Sequence, residues 1–253
     1  MNWHRLLSLF LWISPHVLLA IVAAILCKRR LYREFPCFLA YALYEIAEFI
    51  LMFTLYAVPS VTGNQYAYAY SAARLLSIVL RFAVINEVCK DLFRESQFLK
   101  VSARRSLQCV TGLLLGIGVL LAVYAPGDNS VGWITGVWVV NRGAAMVQSG
   151  LLLSLLLFSR FLGLSWHRPA FGIALGLGIL TSVDLAMFAL RTAFASWVAV
   201  EFFNLLITGT YLVCVLIWVG YTLAPDPKPA SLAVVPHDEV ETWNTELQRL
   251  LGH

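Results

Sequence analysis

Charged residues are scarce in this sequence. They make up 13% of its 253 residues, where about 25% is usual in a soluble domain. Hydrophobic residues make up 60%, and the mean hydropathy is +0.78. This composition excludes an ordinary soluble globular domain and predicts an all-α protein of the membrane, because long apolar runs cross a bilayer as helices. The net charge of +4 lies mainly in loops, and we expect no nucleic-acid partner.

The sequence also lacks the motifs of several chemistries. It has no HExxH, GxSxG or Walker sequence and no CxxC pair among its five cysteines. No lysine lies in an apolar run, so a retinal Schiff base has no attachment point. Among the histidines only His16 lies in such a run, which argues against bis-histidine haem. We therefore predict no catalytic residue, no metal and no cofactor. Absent motifs leave the question of an enzyme open and lean against it.

Seven apolar runs meet or approach the roughly 20 residues that a helix needs to cross a bilayer. A signal peptide is the competing interpretation of the first run, but the run is too long, and basic residues follow it directly in an anchoring pattern. The sequence thus predicts a seven-helix transmembrane domain over residues 1–223, with spans at about 6–27, 36–58, 66–88, 107–125, 131–158, 169–194 and 197–223.

Basic residues in the loops predict the orientation. The loops after the first, third and fifth spans carry four, five and two lysines or arginines, and the loops after the even-numbered spans carry none. Basic loops face the cytoplasm. This asymmetry places the N-terminus outside and the C-terminus in the cytoplasm. We expect the bilayer to be a bacterial inner membrane.

The chain after the last span has two parts. Prolines predict an extended linker over residues 224–237. Residues 238–253 predict a short, acidic amphipathic helix that starts with Asp238 and Glu241 in a capping-box arrangement. Its apolar face should dock on the basic cytoplasmic loops or on a partner protein, the alternative being a frayed tail of no consequence. That face consists of Val240, Trp243, Leu247, Leu250 and Leu251.

Two arginines in the third span place the strongest constraint on how the helices pack. Arg74 and Arg81 are seven residues apart, so they project from nearly the same helix face. An arginine near the bilayer centre costs at least about 2.5–3.5 kcal/mol, so this face must turn inward and find acidic partners. In antiparallel neighbours Glu48 lies level with Arg74, and Glu45 lies level with Arg81. The sequence therefore predicts two stacked ion pairs between the second and third spans.

The other polar groups of the spans are biased towards the predicted outer half, and the inner ends of the last three spans are apolar. This distribution predicts a polar pocket in the outer half of the bundle. Two interpretations stay open: the charges only neutralise one another and specify helix pairing, or some of them bind a ligand or a proton. The candidates are Glu45, Glu48, Arg74, Arg81, Asn141, Arg142, Asp184, Arg191, Glu201 and Asn204.

Pairs of glycines four residues apart occur in two spans. Gly112 and Gly116 lie in the fourth span, and Gly172 and Gly176 lie in the sixth. Such small-residue faces let helix backbones approach closely. They predict close packing within the bundle and support dimerisation only weakly.

Three functions fit these features. The first is a non-enzymatic membrane sensor or accessory protein, with a small ligand or a neighbouring membrane protein at the outer pocket and the tail helix docking inside. The second is a small proton-coupled solute carrier that titrates Glu45, Glu48 or Asp184. The third is a structural subunit of a larger membrane complex. The seven-helix layout resembles receptor-like sensors and small solute carriers in architecture alone.

Overall fold

A computed structural model describes residues 3–92, 129–161, 167–193 and 197–224, together with residue 249. The predicted fourth span, at about 107–125, lies outside the described residues. So do the predicted linker and tail helix apart from Ala224 and Arg249, and with them Val240, Trp243, Leu247, Leu250 and Leu251. The described part is all-α, which confirms the predicted class. Its six long helices are α1 (Trp3–Lys28), α2 (Pro36–Ala57), α3 (Gly63–Leu92), α4 (Asn129–Phe161), α5 (Arg168–Ala193) and α6 (Trp197–Leu223).

Five of these helices are long and apolar enough to cross a membrane: α1, α2, α4, α5 and α6. Large apolar side chains such as Ile50, Leu153 and Leu216 are half or more exposed, and water-soluble surfaces rarely carry many of these. The chain is therefore an integral membrane protein in contact with lipid. The exception is α3, where Arg74, Arg81 and three further charged residues lower the hydropathy.

The six described helices form a closed ring in chain order. Each packs on the next, and α6 packs back on α1. In addition, α3 touches α5 across the interior of the ring. The charged helix α3 therefore contacts α2, α4 and α5, and three neighbours shield its polar side chains from lipid better than one could.

The apolar core fills the half of the ring that holds the C-terminal parts of α1 and α6. Trp218 of α6 is fully buried, and its ring meets Phe38 edge-on at 5.3 Å between centroids. Gly172 and Gly176 of α5 face α6, where an added Cβ would collide with Tyr221 and Trp218 respectively. The predicted role of this glycine pair in close packing is confirmed. Gly112 and Gly116 lie outside the described residues.

Two charged side chains stabilise helix ends at this same half. The Glu87 carboxylate of α3 accepts hydrogen bonds from the backbone N–H groups of Cys37 and Phe38, at 2.8 and 2.9 Å. These N–H groups lie in the first turn of α2, where backbone N–H groups have no acceptor within their own helix. Arg29 donates to the carbonyl oxygen of Thr222 at 2.8 Å, near the end of α6. In both contacts the sign of the side-chain charge is the one that interacts favourably with the dipole of the helix at that end.

Candidate functional site

A cavity of about 460 Å³ lies in the other half of the ring. It is formed by the N-terminal parts of α1, α3 and α6 and by the C-terminal parts of α2 and α5, so it sits at the end that the basic loops predict to be outside. Its volume falls within the range of about 300–1,000 Å³ that is typical of small-molecule sites. The predicted residues that line it are Glu45, Glu48, Arg74, Arg81, Asp184 and Asn204.

The centre of this charged cluster is an ion pair between α3 and α5. Nη1 of Arg81 lies 3.3 Å from Oδ2 of Asp184, and the two side chains are 8% and 14% exposed. Removing either partner would leave the other charge buried and uncompensated. The pair therefore ties α3 to α5 across the interior of the ring.

The predicted pairing of Glu45 with Arg81 is wrong. Glu45 is buried at the α2–α3 contact, where it accepts a hydrogen bond of 2.6 Å from the Ser77 hydroxyl. Ser77 lies one turn before Arg81 on α3, so Glu45 is level with this part of the helix as predicted. Equal depth does not fix rotation about the helix axis: Arg81 pairs with Asp184 of α5, and the group of α2 that it contacts is the Tyr41 side chain.

The predicted pairing of Glu48 with Arg74 is also wrong. The ion pairs among the described residues are Arg81–Asp184 and His167–Asp91, and neither involves these two groups. Arg74 instead donates from Nε to the Tyr70 hydroxyl at 3.2 Å, and its guanidinium carbon lies 5.7 Å from the centre of the Tyr70 ring. Both contacts are with a neutral group of its own helix.

Arg74 also borders a second, smaller cavity of about 200 Å³. Tyr70, Asp184 and Asn204 border both cavities as well, so the two lie side by side around the Arg74 guanidinium. The smaller cavity adds the amide of Asn141 from α4. Guanidinium and amide groups from three helices thus converge on one region.

Several polar atoms in and beneath the larger cavity are buried without a hydrogen-bond partner in the described part of the chain. They include Oε2 of Glu48 and the hydroxyl oxygen of Tyr211. Buried polar groups in proteins are nearly always satisfied. A polar guest would meet the accessible polar side chains of the lining and not these enclosed atoms.

Three predicted residues are not placed in the cavity. Arg142 is exposed on the outer surface of the ring, in a shallow groove of about 360 Å³ between α4 and α5. Arg142 therefore lies outside the cluster of charges that borders the larger cavity. Arg191 lies near the end of α5 and Glu201 near the start of α6, and the description of both residues stops at the helix backbone.

Sequence reasoning missed the aromatic wall of the cavity. The His16 ring stacks on Phe49 at 4.0 Å between centroids, and Trp12 meets Phe49 edge-on at 5.2 Å. Tyr211 adds a third side to this wall. The signal was present in one respect, because His16 is the single histidine within a span. Its neighbours on α2 could not be paired with it from spacing alone.

Comparisons with known proteins identify no family for this chain. No protein-family model, no characterised protein and no solved structure matches the chain significantly. The described residues contain no group of three or more side chains suited to holding a metal ion. The chain is thus an all-α integral membrane protein with a polar cavity at one end of its helix ring.

Proposed function

We propose that this protein is a non-enzymatic membrane sensor that binds a small molecule in the larger cavity. The observation that supports it best is that six of the predicted polar residues, on four different helices, line one cavity of ligand size. A charge network that served only to pair helices would need no such space beside it.

The proposed topology has seven spans and an outer cavity. Asp91, near the end of α3, contacts His167, just before α5, so these two chain positions share one end of the bundle. By contrast, Asn141 and Val137 in the first part of α4 border the cavity at the other end. These positions favour a further crossing between α3 and α4, which we propose for residues 107–125. The basic loops then put the cavity outside.

The opposite half of the ring favours a sensor over a carrier. It holds a continuous apolar core that includes Leu26, Phe38 and Trp218. A carrier must open a path through this half, whereas a sensor only has to pass on a change in packing. The acidic tail helix, on the proposed cytoplasmic side, would dock on the basic loops or on a partner protein and report that change.

Each alternative has one observation in its favour. A proton-coupled carrier is favoured by the Glu48 carboxyl, which borders the cavity and has an oxygen atom without a hydrogen-bond partner in the described residues. A structural subunit of a larger complex is favoured by the exposed guanidinium of Arg142, which could meet an acidic group of a neighbouring membrane protein.

Cysteine labelling separates a sensor from a carrier and tests whether the cavity is open to a ligand. In a cysteine-free background, Asn204→Cys places a thiol in the cavity, and Leu152→Cys places one in the buried core as a control. A sensor with an outer cavity should react with a membrane-impermeant maleimide at position 204 from the outside only. Reaction from both sides would indicate a carrier. A lack of reaction from either side, with the unfolded protein still reactive, would contradict a ligand site.

A further inference from the structure

The two arginines of α3 are compensated very differently. Arg81 has a carboxylate partner at 3.3 Å. Arg74, seven residues earlier on the same face, has the Tyr70 hydroxyl and the face of the Tyr70 ring. A cation–π contact contributes about 0.5–2 kcal/mol. This contribution offsets only part of the free energy that it costs to remove a guanidinium from water. Arg74 is therefore the cation of the site that still lacks an anion among the described residues.

The acidic groups near Arg74 are engaged elsewhere. Asp184 borders both cavities with Arg74 but is paired with Arg81, and Glu45 accepts from Ser77 at the α2–α3 contact. Glu48 borders the same cavity but forms no ion pair with Arg74. Among the described residues, Arg74 therefore borders both cavities without a carboxylate at ion-pair distance.

The groups around Arg74 suit an anion. Guanidinium binds carboxylate through two parallel N–H···O bonds. The side chains of Asn141 and Asn204 border the same smaller cavity and carry amide N–H₂ donors. Beyond Arg74, the larger cavity has an aromatic wall of Trp12, His16 and Phe49 beside its charged lining, and this wall favours an apolar body.

We infer that the ligand of this cavity is a small carboxylate with an apolar body, and that its carboxylate group binds Arg74. This inference rests on the proposed function and names the ligand class of that site. The apolar body would lie against the aromatic wall formed by Trp12, His16 and Phe49. Binding would supply the missing anion without disturbing the Arg81–Asp184 pair.

The test uses three probes that share one body and differ in charge: phenylacetate, phenylacetamide and phenethylammonium. Binding to the purified full-length protein in lipid nanodiscs is measured by titration calorimetry at constant ionic strength. We expect phenylacetate to bind and the neutral and cationic probes to bind at least tenfold more weakly. No binding of phenylacetate, or stronger binding of phenethylammonium, overturns the inference.

Variants of the half-buried Arg74 and of the exposed Arg142 test whether phenylacetate binds at the cavity. Arg74→Gln should weaken phenylacetate binding at least tenfold, and Arg142→Gln, which removes the same charge outside the cavity, should leave it unchanged. If Arg74→Gln fails to fold, Arg74→Lys keeps the charge but loses the two-pronged geometry, and it should weaken binding several-fold. Equal affinity in Arg74→Lys and the parent overturns the role of Arg74. Labelling of Asn204→Cys remains informative in every case, so failure of the ligand class is distinguishable from failure of the sensor proposal.

Discussion

The ion pair between Arg81 and Asp184 connects α3 to α5. Both side chains are largely buried, and they come from helices that face each other across the ring. The sequence identified both as costly groups that need partners, because intramembrane charges are rarely left unpaired. It could not identify them as partners of each other, since depth along two helices says nothing about rotation or about contacts across the interior.

Loss of one partner of this pair should be far more damaging than loss of both. Asp184→Asn leaves the Arg81 charge buried and should lower the free energy of unfolding by about 3–5 kcal/mol. The double variant Arg81→Met with Asp184→Leu replaces both charges by apolar groups and should recover most of that loss. Unfolding by titration with a denaturing detergent, followed by circular dichroism, measures both changes.

Asp91→Asn is the matched control for this experiment. Asp91 pairs with His167, whose side chain is 56% exposed, so its removal should cost less than about 1 kcal/mol. A loss at Asp184 no larger than the loss at Asp91 would mean that the Arg81–Asp184 pair is not buried as described.

At the scale of single helices, the N-terminus of α2 is capped by a side chain of α3. Pro36 occupies the first turn, where a missing N–H costs nothing, and Phe35 before it provides no side-chain cap. The Glu87 carboxylate of α3 supplies the missing acceptor. The start of α2 was predictable from Pro36, but its cap was not, because the capping residue lies far away in the sequence.

Replacing this cap should destabilise α2 specifically. Glu87→Gln keeps the size of the side chain but loses its charge and one of its two acceptors, so the free energy of unfolding should fall by about 1–2 kcal/mol. The change is measured by hydrogen exchange, where the first-turn amides of Cys37 and Phe38 should lose protection. Glu34→Gln, at an exposed position nearby, should leave their protection unchanged; equal effects of the two variants would refute the cap.

The contact between α5 and α6 depends on two glycines. Gly176→Ala would place a methyl group against the buried Trp218 ring, and overpacking of this kind costs about 1–3 kcal/mol. Gly178→Ala, two residues further on the same helix, meets Leu152 at an ordinary 3.9 Å. It should be neutral or stabilising by about 0.5–1 kcal/mol, because alanine favours helix. Thermal unfolding of the two variants should therefore move in different directions, and a shared decrease would contradict the close contact.

At the scale of the whole molecule, hydropathy was sufficient for five of the helices, because length and apolar content decide whether a segment enters lipid. It was a weaker guide for α3, whose polar face is hidden by α2, α4 and α5. The cavity could be anticipated only as a polar region, since its volume and its aromatic wall depend on how six helices close into a ring.

The seven-span topology makes a direct prediction about sidedness. Thr62, between α2 and α3, and Asp128, before α4, should both lie outside, and Glu34, between α1 and α2, should lie in the cytoplasm. Single cysteines at these positions, labelled in right-side-out and inverted vesicles, measure this. Labelling of positions 62 and 128 from opposite sides would contradict a crossing between α3 and α4.

The charges of α3 border a cavity that the described side chains leave open. An experimental density map of the full chain in a lipid nanodisc tests it most directly. We expect density for Arg81 against Asp184, and for Arg74 facing non-protein density between Tyr70 and Asn204. A map in which Glu48 or another acidic side chain closes on Arg74, or in which Arg74 points into the acyl chains, would contradict it.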